Sequence, residues 1–285
     1  VPLAHLVDIE PVISADELVA SLVPPPRFSQ VRFETYIPDP AESSQSAAVT
    51  ALKDFADRIA APPKKASLFR RSATPEGPTG VYLDGGFGVG KTHLLASLWH
   101  AVPGPAPKAY GTFGEYTQLV GALGFIPTIQ RLSGHKLIAV DEFELDDPGD
   151  TMLMTRLMGE LADAGVWIAA TSNTLPDKLG EGRFAAEDFR REISAMSARF
   201  ATVRVDGPDF RHSGMEEAPP PLSEADLQVA AGEALSGSTV DPFDAVCKKL
   251  STLHPSKYGK LLDGVSSVHL SKVHPAPDQG WRCGW

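Results

Sequence analysis

The chain has 285 residues, 42% of them hydrophobic and 22% charged, a balance that supports a buried core and excludes a wholly disordered protein. Its 36 Asp and Glu outnumber 26 Lys and Arg, for a net charge of -10, which argues against a protein whose main role is to coat nucleic acid. Two cysteines, Cys247 and Cys283, exclude a disulfide scaffold, and no uncharged apolar run approaches the roughly 18 residues of a spanning helix. No basic-then-apolar targeting segment opens the chain, and a cytoplasmic protein is expected.

Ser14-Ala15-Asp16-Glu17 has the spacing of a capping box and predicts a helix that must stop at Pro24, Pro25 and Pro26. A second helix is expected over 43–59, where Ala48, Leu52, Phe55 and Ile59 share one face. Residues 62–80, rich in proline, lysine and arginine, read as an exposed connection. From Gly80 short apolar runs alternate with amphipathic helices. Strands are expected at 81–83, 109–111, 137–140, 166–170 and 201–205, with helices over 91–100, 114–123 and 151–162. Asp150 is placed to cap the last of these. Such alternation predicts an α/β fold with a five-stranded parallel sheet covered on both faces. After Arg211 a proline-rich linker leads to helices near 224–235 and 243–253. The expected organisation is an N-terminal leader over 1–33, an α/β core over 34–212 and a small, mostly helical C-terminal region over 213–285.

The strongest local signal is Gly85-Gly86-Phe87-Gly88-Val89-Gly90-Lys91-Thr92, which matches G-x-x-x-x-G-K-[ST] between a strand and a helix. A triphosphate needs many donors at once, and a glycine-rich loop turns successive main-chain amides inward toward the positive end of the following helix. Lys91 can reach the β- and γ-phosphates, and the Thr92 hydroxyl can ligate magnesium. His93 continues the nucleotide-binding segment, its ring expected to pack. The strand 137–140 runs directly into Asp141-Glu142, placing one carboxylate for the metal and one to polarise a water. Thr171-Ser172-Asn173 follows the next strand, and Asn173 is expected between the acid pair and the phosphates, where it can report the γ-phosphate. Glu144, Asp146 and Asp147 read as solvated or capping carboxylates. Cys247, His254, His269, His274 and Cys283 have no zinc-like spacing.

With these elements the chain resembles the AAA+ ATPases, and within them the ZapE family and its mitochondrial Afg-one-like relatives. The likeness rests on GVYLDGGFGVGKTHLLAS, on Asp141-Glu142-Phe143, and on the phrase TSN-x-x-P-D-x-L over 171–179. It rests also on the run from Val205 to Arg211, on Asp39-Pro40 followed by Gln45, and on His254-Pro255-Ser256-Lys257-Tyr258. The resemblance implies a P-loop (AAA+) fold, Mg2+-dependent ATP hydrolysis, and a homo-oligomer formed on ATP binding. It further implies a protein client such as the tubulin-like division-ring protein, with peripheral association at the inner membrane. A neighbouring subunit's arginine would complete the site, with Arg183 and Arg191 both candidates and Arg211 a candidate in cis. The family's terminal helical stretch is expected to be lost or replaced after Asp278-Gln279, where the chain runs Gly280-Trp281-Arg282-Cys283-Gly284-Trp285. Two other readings stay open: a DnaA- or DnaC-like replication initiator or helicase loader, and a nucleotide-gated adaptor that hydrolyses little.

Overall fold

The structure is a computed structural model that describes residues 5–61, 77–144, 148–174, 194, 196–210, 220–233, 237–253 and 257–274. It divides into two compact units, one of residues 15–215 and one of residues 1–14 with 216–285. The expected leader is therefore split. Residues 5–8 join the smaller unit, where the Leu6 amide donates to Asp241 Oδ2 at 2.9 Å. Residues 22–33 belong to the larger unit, where the Tyr110 amide donates to the Leu22 carbonyl at 2.8 Å and His100 bonds the Phe28 carbonyl at 3.0 Å.

The larger unit is built on a five-stranded parallel sheet. Its strands are β1 (Gly80–Gly85), β2 (Lys108–Thr112), β3 (Leu137–Asp141), β4 (Trp167–Ser172) and β5 (Phe200–Val205), in the order β2-β3-β4-β1-β5. Five parallel strands with buried centres need apolar residues on both faces, which explains the unbroken runs Val81-Tyr82-Leu83 and Leu137-Ile138-Ala139-Val140. Helices α2 (Ser43–Ala60) and α3 (Lys91–Ala101) pack together over one face. There Ala48, Leu52, Phe55 and Ile59 meet Val81, Leu94, Leu98 and Leu137 in one core. Helices α4 (Phe113–Leu123), α5 (Phe125–Leu132) and α6 (Pro148–Asp163) form the second layer.

Three local expectations need correction. Helix α1 (Ala15–Ala20) ends before the proline run, because the chain leaves the helix for the Leu22–Tyr110 bond beside β2. Helix α6 starts at Pro148, so Asp150 lies in its first turn rather than capping it; proline suits a helix start, where the missing amide hydrogen has no partner anyway. The smaller unit has helices over Glu224–Glu233, Phe243–Thr252 and Tyr258–Leu261, but also a two-stranded parallel sheet of β6 (Ser238–Pro242) and β7 (Ser267–Ser271). Leu227, Ala231 and Val240 form its core. Among the described residues no helix is long and apolar enough to cross a membrane.

Candidate active site

The strand order decides what can meet. β4 lies between β1 and β3, so the loops leaving the C-terminal ends of β1, β4 and β3 stand side by side. At those three strand ends stand Lys91 at the start of α3, Asn173 just past β4, and the Asp141-Glu142 pair where β3 ends.

After β1 the chain turns through Gly86–Gly90 into α3. Gly88 and Gly90 have φ of 68° and 90°, left-handed values that glycine adopts without a side-chain clash. A Cβ on Gly90 would also lie 2.6 Å from the Tyr36 ring, whose hydroxyl donates to the Val89 carbonyl at 3.0 Å. The start of α2 is tied to the segments on either side of it. Gln45, only 1% exposed, accepts from the Asp39 amide at 2.8 Å and donates to the Asp206 carbonyl at 2.8 Å. Ser44 Oγ accepts from the Asp206 amide at 2.9 Å. Replacing Gln45 with alanine strands one donor and one acceptor, at a cost of about 2–3 kcal/mol. A thermal melt of Gln45→Ala is expected to fall by several degrees; an unchanged midpoint would show that water replaces both bonds.

Lys91 Nζ donates to the Gly85 carbonyl at 2.8 Å, the Gly86 carbonyl at 2.5 Å and Asn173 Oδ1 at 2.9 Å. All three ammonium hydrogens have acceptors. Burial lowers its pKa, against the pull of the Asp84, Asp141 and Glu144 carboxylates. Asp84, 1% exposed at the end of β1, is paired with Arg204 of β5.

At the tip of β3, Asp141 is 6% exposed. Its Oδ1 accepts from Thr92 Oγ1 at 3.2 Å and from Thr171 Oγ1 at 2.5 Å, while Oδ2 accepts from the Tyr110 hydroxyl at 2.9 Å. Thr92 and Asp141 thus present adjacent hard oxygens, the donor chemistry that magnesium takes. The next residue, Glu142, has φ of 55°, unusual for a side chain and worth about 1–2 kcal/mol of local strain. That turn is held by the Glu142 amide donating to Thr171 Oγ1 at 3.0 Å and the Phe143 amide donating to the Thr171 carbonyl at 2.7 Å. Partial desolvation raises the Glu142 carboxyl above the usual carboxylate range; the Asp141 charge adds to it and the Arg27 guanidinium opposes it.

Lys91, Thr92, Asp141, Glu142 and Asn173 therefore converge at one end of the sheet. His93 faces away from that group and toward the segment before α2. Its Nε2 lies 2.9 Å from Thr35 Oγ1 and 3.3 Å from the Arg32 carbonyl, and its ring meets Tyr36 edge-on. Arg183, Arg191 and Arg211 lie outside the described residues, as do His254 and Cys283. Sequence reasoning missed Tyr110 and Thr171, which complete the bonding of Asp141, and it misread Glu144. That carboxylate is partly buried and bonded to the tip of β4. For Thr171 a signal existed, since a hydroxyl at a strand end beside an acidic strand end is placed to bond it.

A family model described as AFG1-like ATPase matches residues 14–232. The cell division protein ZapE of Escherichia coli strain K12 is 30% identical over 153 residues, which cover 50% of this chain and 41% of that protein. An uncharacterized protein of Schizosaccharomyces pombe is 27% identical over 179 residues, covering 57% of this chain and 38% of its own. The lactation elevated protein 1 homolog B of Danio rerio is 26% identical over 168 residues, covering 52% and 33%. The chain spans less than half the length of each of these curated relatives.

Proposed function

The chain belongs to the AFG1-like ATPase family, and on that footing we propose that this site hydrolyses ATP with magnesium and uses the cycle to rearrange a protein partner. The observation that carries the reading is the contact of Thr92 Oγ1 with Asp141 Oδ1 at 3.2 Å, beside Lys91 and Asn173 joined at 2.9 Å. In this reading the amides of Gly86–Thr92 and the Lys91 ammonium bind the phosphates, with Lys91 exchanging its loop carbonyls for phosphate oxygens. Thr92 and Asp141 hold the magnesium, which when bound neutralises phosphate charge. Glu142 accepts the proton of the attacking water, and Asn173 orients that water or touches the γ-phosphate.

The Escherichia coli relative is named a cell division protein, and this supports a client at the division ring, with the chain cytoplasmic or peripheral at the inner membrane. A homo-oligomer formed on ATP binding would bring a neighbour's arginine to the γ-phosphate, with Arg183 and Arg191 the candidates. Turnover per chain is then expected to rise with protein concentration, and the variant of the acting arginine should lose that rise while still binding nucleotide. Turnover that stays constant across concentration would remove the arginine in trans. Absence of any magnesium-dependent hydrolysis at all would leave an ATP-gated adaptor.

A further inference from the structure

We propose that Glu144 is a positioning residue for this site: it holds the tip of β4 so that the Asn173 side chain faces Lys91. The inference rests on the ATP-hydrolysis reading and adds a residue to it. Glu144 stands just beyond the acid pair. Its Oε1 accepts from Ser172 Oγ at 2.7 Å and from the Asn173 main-chain amide at 2.8 Å, and its Oε2 accepts from Thr174 Oγ1 at 3.1 Å. One carboxylate thus ties three consecutive residues of the loop that leaves β4. Two further bonds brace the same loop: the Thr174 amide donates to Ser172 Oγ at 2.9 Å, and the Tyr82 hydroxyl donates to the Thr174 carbonyl at 2.7 Å. From Asn173 the connection continues through Oδ1 to Lys91 Nζ at 2.9 Å.

The chemistry needs this restraint. Asn173 is exposed and lies one residue beyond the end of β4, outside the sheet ladder that would otherwise fix its backbone. Without Glu144, the Ser172 hydroxyl and the Asn173 amide lose their shared acceptor, and the side-chain carbonyl is free to swing away from Lys91. A displacement of about 1 Å in a group that orients a reacting water can cost about 10²-fold in rate.

Glu144→Ala is expected to lower kcat by at least tenfold with nucleotide affinity changed by less than threefold. Glu144→Gln should restore most of that loss, because its amide oxygen keeps both Oε1 acceptances and its amide nitrogen can donate to Thr174 Oγ1. In an Asn173→Ala background, Glu144→Ala should cost nothing further. A charge effect of Glu144 on Lys91 would instead make Gln as damaging as Ala, and that result would overturn the proposal. A second measurement does not depend on hydrolysis. By NMR of the nucleotide-free chain, exchange of the Asn173 amide hydrogen should quicken at least tenfold in Glu144→Ala and stay near the parent rate in Glu144→Gln. Unchanged exchange in Glu144→Ala refutes the restraint itself. Quickened exchange in a chain that never hydrolyses ATP refutes the ATPase reading and leaves the restraint standing.

Discussion

Glu142→Gln should bind ATP with near-parent affinity and hydrolyse it at least about a hundredfold more slowly, the usual size of a lost general base. The substitution keeps the side chain's shape and removes its ability to take a proton. The backbone at this position is already committed, with φ of 55° and the amide fastened to Thr171, so the glutamine should inherit the same geometry. The neighbouring Asp141 keeps its bonds to Thr92, Thr171 and Tyr110, so the proposed magnesium ligands are not disturbed. Single-turnover hydrolysis and equilibrium nucleotide binding measured on the same preparation separate the two effects. A rate within threefold of the parent would remove Glu142 from the chemistry. Loss of binding together with rate would mean that it shapes the pocket instead. The slow variant is also the form in which to seek the client, since a chain arrested with ATP bound should retain it.

The parts of this site that were legible in the sequence are those built by local rules. The phosphate loop is one continuous segment whose glycines answer to backbone conformation, and Asp141-Glu142 and Asn173 are each marked by the apolar strand that ends at them. The supporting residues answer to strand order instead. Tyr110 reaches Asp141 because β2 lies next to β3, and Glu144 reaches Ser172 and Asn173 because β4 lies on the other side of β3. Neither adjacency is written in the spacing of the chain. Helix α5 was hidden by Pro127, which stops a helix from within but is tolerated in a first turn, where it sits here after Gly124 reverses the chain with φ of 86°. β6 and β7 were hidden for another reason: Ser238–Pro242 and Ser267–Ser271 are short and polar, and each is a strand only because the other pairs with it.

Lys91→Ala should weaken ATP binding by roughly 10²–10³-fold, since two lost charge-assisted bonds to phosphate are worth about 3–4 kcal/mol together. The nucleotide-free chain should melt close to the parent. There the ammonium donates to Gly85, Gly86 and Asn173, and those bonds offset the desolvation that lowers its pKa, so removing both terms together changes stability little. The two states therefore separate in one experiment. A ligand that binds only the folded chain stabilises it by about 2.7 kcal/mol at a hundred times its Kd. The parent's melting temperature should climb by several degrees in saturating magnesium and a non-hydrolysable ATP analogue, while that of Lys91→Ala stays where it was without nucleotide. If the variant climbed as far as the parent, the phosphates would be held by the loop amides alone, and Lys91 would be a structural clamp between the loop and Asn173. If it melted far below the parent even without nucleotide, the three bonds would outweigh the buried charge, and the loop would depend on Lys91 for its fold as well as for its ligand.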